Sequence, residues 1–509
     1  MDGLRVYFTR MLRAGRVFIA GFRPEHVFLA WFASFVALFV RGRIQKLARE
    51  RKQAAGLLTP EQREKKTAGE TVVVRGKTFT TVADDGEGVD LGWLGTLPYW
   101  IPVAVFGIES AQLFVFGERA FKLRGYTPAQ RGFVQLVLFF GLLPVLDLAM
   151  GDDWANPTKA QIKERKLAKR FRLPLYAWCA VEGLATWTTF RLCFARRSAM
   201  TLGNRAVLLT TLALFNGVFG ITISHELIHK QSALEQWLGY LLLVNVNYCH
   251  WGEEHLSGHH ETVATPLDPA TARRGETLYA FLPRTYVGGF QSSCALEEKR
   301  LRLAQGLAEG AAVRWWTPDN RVLRGVAASA AWSGVLARYV ARDWRAVPVF
   351  YACGMGSSLL LEVVNYMEHF GLERKRLASG EFEPVNPTHS WNAPNRFSNA
   401  VLYKLQRHSD HHTFASRPYE ILRNFAESPQ LPTGYPGCIV ICFLPPVWFN
   451  IMGDLLDAHK LECNTERAPT AEERARADAL KHRAKAKTWL FSIASMGLVS
   501  AAVKRVMAA

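Results

Sequence analysis

The sequence predicts an all-α integral membrane protein, built as a six-helix bundle with a histidine-rich cap on one side. Its residues are 49% hydrophobic and 12% aromatic, and they are gathered into long apolar runs. A helix needs about 20 apolar residues to cross a bilayer. Five runs approach that length: Pro98 to Phe116, Phe133 to Met150, Leu173 to Phe194, Ala206 to Ser224 and Val347 to Val364. A soluble protein rarely needs five such runs, so a membrane domain is the better description.

Residues 1–90 are predicted to be an N-terminal extension. A basic start leads into a short apolar run from Val27 to Val40, and a polar linker from Arg41 to Lys66 follows. The length of the run fits an interfacial helix and a membrane span equally well, so both remain open. Arg41 and Arg43 stand where a cleavage site would need small residues, so we expect no cleavable signal peptide.

The membrane domain is predicted over residues 91–454, and a basic tail with a last apolar run, Trp489 to Val503, over residues 455–509. Four spans end near Ser224, and an apolar hairpin bent near Arg342 adds two more. A chain that crosses an even number of times returns to its starting side. The ends of the fourth and sixth spans are therefore expected on one face of the membrane.

The chain carries a formal net charge of +18, with 62 Lys and Arg against 44 Asp and Glu. Basic loops on the cytoplasmic side explain this excess more simply than nucleic acid does, although an acidic electron-transfer partner remains possible. The most basic loop joins the second and third spans and contains Lys159, Lys163, Arg165, Lys166, Lys169, Arg170 and Arg172. It predicts a cytoplasmic cap, in the inner membrane if the source is bacterial or the endoplasmic reticulum if eukaryotic.

Nine of the fourteen histidines fall into four short groups at or after the ends of the fourth and sixth spans. They are His225 and His229; His255, His259 and His260; His369; and His408, His411 and His412. Spacings of three and four place side chains on one helix face. Neutral imidazole suits iron, zinc, copper and nickel, and nine imidazoles exceed what one ion binds. The pattern predicts a dinuclear metal site in the cap.

Histidine-bound iron near the inner end of a helix bundle suits oxygen chemistry, because burial keeps water from a reactive oxidant. Acid–base and nucleophilic groups cannot attack an unactivated C–H bond. Glu254, Glu368 and Asp410 each precede a histidine of the set, and we expect them to orient imidazoles or, for Glu368, to bind metal directly. The eight cysteines contain no C-x-x-C pair, so an electron carrier must be a separate protein.

Several motifs resemble the membrane-bound alkane 1-monooxygenase family, a branch of the membrane fatty acid desaturase and hydroxylase superfamily. The similarity covers roughly Leu136 to Met452. Its motifs are S-H-E-L-I-H-K, E-H-L-S-G-H-H-E-T-V-A-T-P-L-D-P-A, N-Y-M-E-H-F-G-L, H-S-W-N, L-Q-R-H-S-D-H-H and L-P-T-G-Y-P-G. Desaturases share the spaced histidines but not the A-T-P-x-D-P-A or N-Y-x-E-H-x-G-L context.

The resemblance implies a non-haem diiron centre bound by the nine histidines, with Asp268 of the A-T-P-L-D-P-A motif among the supporting carboxylates. It implies hydroxylation of the terminal methyl of medium- or long-chain alkanes to primary alcohols, using O2. Electrons would come from NAD(P)H through a reductase and a rubredoxin-type carrier. Phe139, in the second span, matches a position where a bulky side chain limits the depth of the substrate channel, although ordinary aromatic packing explains it as well.

Other functions remain open at this stage. The residues outside the match leave the substrate undecided, so a hydroxylase or desaturase of fatty acids or other lipids is the main alternative. His225, Glu226 and His229 also spell the H-E-x-x-H pattern of zinc proteases, which would leave most of the other histidines without a role. A metal transporter would place its ligands near the membrane midplane rather than at helix ends.

Overall fold

The computed structural model describes residues 71–508 apart from 75–76, 82–91, 125–126, 197 and 464–468. The predicted apolar run from Val27 to Val40 and the linker from Arg41 to Lys66 lie outside the described residues. Most of the described chain is helical, with one antiparallel hairpin, β1 (Thr71–Val74) and β2 (Lys77–Thr80). The all-α prediction is confirmed for the bulk of the chain.

Among the residues described, four helices are long and apolar enough to cross a membrane: α1 (Trp93–Phe116), α2 (Pro128–Met150), α4 (Leu202–Ile228) and α6 (Ala346–His369). Between them lie α3 (Leu173–Cys193) and α5 (321–341). Each of these two carries charged residues along its length, which lower its hydropathy. The integral membrane character is confirmed, whereas the count of six spans stays a prediction.

Shorter elements connect and extend these helices. The α-helices are Arg119–Arg124, Lys159–Leu167, Ala233–Asn245, Cys249–Glu254, His260–Thr262, Leu278–Ala304, Arg396–Val401, His408–Thr413, Tyr435–Cys442, Pro445–Glu462 and Ala471–Ala508. Short 3₁₀ segments lie at Gly92–Trp100, Lys169–Phe171 and Tyr419–Ile421.

Local chemistry sets several of the boundaries. The hydroxyls of Thr127 and Thr158 each accept a hydrogen bond from the backbone N–H of the third residue of the following helix, which is a glutamine. The side chain of that glutamine accepts a hydrogen bond from the backbone N–H of the threonine. These capping boxes fix where α2 and the helix Lys159–Leu167 begin. The predicted bend after α5 falls at Arg342, whose φ of 53° reverses the chain into the left-handed region.

Wide π-helical turns interrupt the long helices at Leu138–Leu142, Asn216–Gly220, His255–His259 and Leu336–Ala341. Such turns shift every later side chain around the helix axis and are frequent at functional sites. The turn at Asn216–Gly220 precedes the first histidine pair, and the turn at His255–His259 contains two histidines. Sequence spacing alone did not predict them.

The segment 370–444 forms an irregular cap over the C-terminal ends of α4 and α6. It packs against the basic loop between α2 and α3, because Arg407 donates to the backbone oxygens of Leu422 and Ala155 and to Asp153. The loop that fixed the predicted orientation therefore lies on the same side as the histidines. The tail packs back on the helix Pro445–Glu462, where Arg483 and Lys487 bind Asp454.

Gly354 of α6 lies close to the backbone of Val246, and this contact allows a test of the helix packing. A Cβ atom on Gly354 would press directly on the backbone oxygen of Val246, whereas one on Gly356 would make an ordinary 3.6 Å contact with Ala213. We expect Gly354→Ala to destabilise the fold by about 1–3 kcal/mol, because a rigid backbone must move. Thermal melting followed by size-exclusion chromatography should show a lower midpoint for this variant, and Gly356→Ala should melt like the parent.

Candidate metal centre

The first histidine pair is positioned by the end of α4. His225 lies in the last helical turn, and His229 follows as the residue that ends the helix. The two rings are 5.0 Å apart, centroid to centroid, as expected for positions four apart on one helix face. His225 is buried and His229 half-buried.

The second group lies on one continuous helical stretch from Cys249 to Thr262. His255 and His259 are the first and last residues of the π turn, and their rings are stacked with centroids 5.4 Å apart. The indole of Trp251 stacks on the ring of His255 at 4.5 Å. The turn directs His255 and His260 toward one cluster and His259 toward another.

The remaining ligands come from α6 and from the cap. His369 is the last residue of α6. His408, His411 and His412 belong to a six-residue helix, His408–Thr413, whose residues 408 to 412 are all buried. The Nδ1 atom of His369 lies 3.4 Å from the backbone oxygen of His389 and 3.4 Å from the hydroxyl of Ser390.

The structure brings the nine predicted histidines together as two adjacent clusters. In each cluster the potential ligand nitrogens lie within 4.8 Å of one another. The five-histidine cluster contains His225, His229, His255, His260 and His411, and the four-histidine cluster contains His259, His369, His408 and His412. Every multi-histidine motif except the first is divided between the clusters.

The nitrogen geometry fits a metal ion. Nε2 of His255 lies 3.0 Å from Nε2 of His229 and 3.1 Å from that of His260, which lies 3.1 Å from Nε2 of His411. In the other cluster the Nε2 atoms of His408 and His412 are 2.9 Å apart. Nitrogens bound at right angles about 2.1 Å from one ion are separated by about 3.0 Å.

Other nitrogens of these clusters are buried without a hydrogen-bond partner. They include Nε2 of His225, His259 and His369. A buried polar atom without a partner costs roughly 1–3 kcal/mol, and a bound ion would remove that cost. Burial also lowers the pKa of His255, His260, His411 and His412 well below the usual value. They are therefore neutral near pH 7, which is the form that binds metal.

His259 differs because it is paired with a buried acid. Its Nδ1 donates to Asp268 at 3.0 Å, and burial lowers its pKa while the Asp268 carboxylate raises it, to about 9. Asp268 is itself held by the Thr271 hydroxyl at 2.6 Å and by the backbone N–H of Ala270 at 2.9 Å. Asp268 thus holds a proton on Nδ1, and a metal ion would bind at Nε2 in place of the second ring proton.

The other predicted carboxylates take different positions. Glu368 accepts a 2.5 Å hydrogen bond from the Tyr435 hydroxyl, and its second oxygen lies 3.2 Å from Nε2 of His408, so it can reach an ion in the four-histidine cluster. One oxygen of Glu254 is buried without a partner. Asp410 forms ion pairs with Arg417 and Arg423. These ion pairs hold the helix that carries His408 to His412 in place.

Sequence reasoning missed several neighbours of the site. Tyr435 belongs to the quoted L-P-T-G-Y-P-G motif, which was given no role, and no motif or spacing pattern indicated Trp251. His389 and Ser390 belong to the quoted H-S-W-N motif, which was the available signal for their contact with His369. His250, which was not assigned as a ligand, lies outside both clusters and packs against Phe290 at 5.1 Å.

Phe139 lies in the π turn of α2, buried to 8% exposure, with its ring edge-on to Phe219 at 6.0 Å. Phe219 stands six residues before His225 on α4, about 9 Å along the axis. Trp178 and Phe215 also contact Phe219. Beyond this aromatic layer, on the side away from the histidines, α1 to α4 enclose a cavity of about 50 Å³. Trp178 and Phe215 line this cavity.

Comparison with known proteins identifies relatives. The family model for fatty acid desaturases matches residues 202–441, which include all nine histidines. Alkane 1-monooxygenase 2 of Pseudomonas aeruginosa is 37% identical over 364 residues, covering 71% of this chain and 92% of that protein. Alkane 1-monooxygenase 1 of Alcanivorax borkumensis is 35% identical over 63% of this chain and 76% of its own length. The xylene/toluene monooxygenase hydroxylase component XylM of Pseudomonas putida is 27% identical over 55% of this chain and 70% of its own.

The Asp268 arrangement predicts how tightly metal is held. Asp268→Asn removes the charge that orients His259, and loss of such a partner typically weakens metal binding about 10–100-fold. Metal remaining per chain after dialysis against graded chelator should fall for this variant at lower chelator concentrations than for the parent. Asp343→Asn, far along the chain at the bend after α5, is the control. Equal retention by Asp268→Asn and the parent would contradict the orienting role.

Proposed function

Because the chain belongs to the family of membrane-bound alkane 1-monooxygenases, we propose that it is a non-haem diiron hydroxylase of hydrocarbon chains. Its substrates are medium- or long-chain alkanes, and its products are the primary alcohols. The observation that carries this proposal is the pair of adjacent histidine clusters at the inner end of the bundle. Five and four imidazoles fit one ion each, and a redox-active metal suits C–H oxidation where the other groups present do not.

Within this proposal each cluster holds one iron, through His225, His229, His255, His260 and His411 and through His259, His369, His408 and His412. Iron bound there supplies dioxygen activation. Asp268 keeps a proton on Nδ1 of His259, and Tyr435 donates to Glu368 beside His408. Trp251 covers the ring of His255 and excludes water from that side.

The substrate reaches this site from the bilayer. The aromatic layer around Phe219 lies between the outer cavity and His225, and Phe139 closes one side of it. An alkyl chain with its methyl end at the histidines must extend toward this layer, because the cap side is occupied by polar side chains. We therefore assign Phe139 to the end of the substrate channel, where its size limits chain length.

The proposed topology has six spans, α1 to α6, with the cap in the cytoplasm. The basic loop from Lys159 to Arg172 supports this orientation through the positive-inside bias. It is joined to the cap by Arg165, which donates to the backbone oxygen of Glu420, and by the backbone oxygen of Phe171, which accepts from the Tyr419 hydroxyl. Basic charge on this face also suits an acidic protein partner. We propose that a rubredoxin-type carrier, reduced by an NAD(P)H-dependent reductase, delivers electrons there.

A hydroxylase or desaturase of fatty acids or other lipids is the second candidate, because the desaturase family model covers the same histidines. A zinc protease is disfavoured by Glu226, which would be its general base. That carboxylate instead forms an ion pair with Lys230 and accepts a 3.1 Å hydrogen bond from the backbone of Tyr419. It is committed to structure rather than poised to activate water.

The decisive experiment uses the full chain purified in detergent. Metal analysis should give about two irons per chain, and NADH, O2, rubredoxin and its reductase should convert alkanes of graded length to terminal alcohols. His→Ala at 229, 260, 369 or 412 should abolish turnover while leaving the protein in the membrane, because these residues come from all four motifs and both clusters. Retained turnover in any two would contradict the nine-ligand assignment. Two irons with turnover of fatty acids alone would favour the second candidate, and a single zinc would refute both.

Phe139 gives a separate prediction about chain length. Phe139→Ala should shift the preferred substrate to longer alkanes, because each additional buried methylene contributes about 0.8 kcal/mol, or about fourfold in kcat/KM. Competition between alkanes of two lengths measures this ratio directly. Leu138→Ala, whose side chain is 40% exposed, is the matched control. An unchanged ratio in Phe139→Ala would remove this residue from the channel.

A further inference from the structure

The N-terminal extension contributes a β-hairpin to the cap. Strands β1 and β2 pair with Val72 opposite Phe79 and Val74 opposite Lys77. One face of the hairpin is buried, through Val74 and Phe79, while Val73 on the other face is 66% exposed. The buried face packs on Phe425, which is fully buried. The hairpin is therefore a docked part of the cap rather than a loose extension.

Backbone bonds fix the hairpin in register with the cap. The backbone N–H of Thr80 donates to Glu427 at 2.8 Å, and that of Ala426 donates to the oxygen of Thr80 at 2.9 Å. Thr81 forms an antiparallel bridge with Phe425. These bonds hold Phe79 in the same buried cluster as Phe425.

A first chain of contacts runs from Phe79 to the histidines of the cap helix. The guanidinium of Arg423 lies 5.2 Å from the Phe425 ring centre and 5.4 Å from that of Phe414. The backbone N–H of Arg423 donates to Asp410 at 3.0 Å, and its guanidinium approaches the same carboxylate at 3.5 Å. Asp410 stands between His408 and His411, so the position of Phe425 bears on ligands of both clusters.

A second chain of contacts runs from Lys77. Its ammonium forms an ion pair with Glu383, whose other oxygen lies 3.4 Å from Nε2 of His389. The backbone oxygen of His389 is the group 3.4 Å from Nδ1 of His369. The hairpin thus reaches the surroundings of His369 as well as those of His408 and His411, from two separate side chains.

We propose that this hairpin is a positioning element of the metal centre, with Phe79 acting through Phe425 and Arg423 on Asp410, and Lys77 acting through Glu383 on His389. The hairpin holds two segments of the cap at fixed positions, and these segments support ligands of both clusters. The inference rests on the iron site of the proposed function but not on its substrate. Neither residue touches a ligand, so both act only through the residues between.

Iron release is the measurement that tests this role. The full-length protein, loaded with ⁵⁷Fe, is exposed to an excess of a ferrous chelator, and release is timed by absorbance while Mössbauer spectra record the iron environment. Phe79→Ala should release iron about tenfold faster than the parent, the lower end of the effect of losing a ligand's support, with altered Mössbauer parameters. Phe79→Leu should restore both, because it refills most of the volume. Val73→Ala, on the exposed face of the same hairpin, should match the parent.

Release from Phe79→Ala at the parental rate would overturn the proposal, and so would an equal acceleration in Val73→Ala. If Phe79→Ala does not fold, Lys77→Met carries the test: faster release supports the role, and the parental rate overturns it. Lys77→Arg should keep the parental rate because it retains the ion pair. A parent that binds iron but turns over no alkane would refute only the substrate assignment. A parent without iron would refute both proposals.

Discussion

Nine imidazoles, seven buried and two half-buried, form two clusters whose potential ligand nitrogens lie within 4.8 Å of one another, and they are the constraint on which the rest of the structure depends. Burial favours the neutral form of most of these rings. Two neutral nitrogens that face each other with no proton or cation between them form no stabilising interaction. The arrangement is stable only if the surrounding protein holds each ring in place and an ion occupies the centre of each cluster. The ends of α4 and α6, the π turn at His255–His259 and the short helix His408–Thr413 all supply that support.

The cap holds the imidazoles in place although its chain is irregular, because its buried backbone groups form many hydrogen bonds. Loops are usually exposed because a buried backbone needs partners. Here Arg407, fully buried, satisfies three backbone oxygens, and Asn392 bonds both the backbone and the side chain of Ser409. These bonds tie the loop after α2, the segment after α6 and the histidine helix into one unit. Polar networks of this kind restrict the geometry of the chain, which a metal site requires.

Much of this could be predicted from the sequence, for identifiable reasons. Apolar length marked α1, α2, α4 and α6, and the spacing of His225 and His229 marked a helix face. The assignment of His259 to a different cluster from His255 and His260 could not be predicted, because it depends on a π turn that no residue pattern specifies. Glu226 also fitted the H-E-x-x-H pattern of zinc proteases, a distant alternative, and its ion pair with Lys230 was evident only from the structure. The roles of Lys77 and Phe79 could not be predicted for another reason. Their partners, Glu383 and Phe425, lie more than 300 residues away in the sequence.

The two clusters differ in their access to solvent, and this difference bears on how the proposed reaction is organised. All four members of the cluster with His369 are buried, whereas His229 and His260 of the other are half-buried. Electrons from a protein donor must cross the cap, and transfer is fastest over the shortest path. The half-buried rings offer that path, while the aromatic layer around Phe219 lies toward the bilayer. An apolar substrate and a water-soluble donor can thus approach the same site from opposite sides, which keeps bulk water away from the C–H bond to be oxidised.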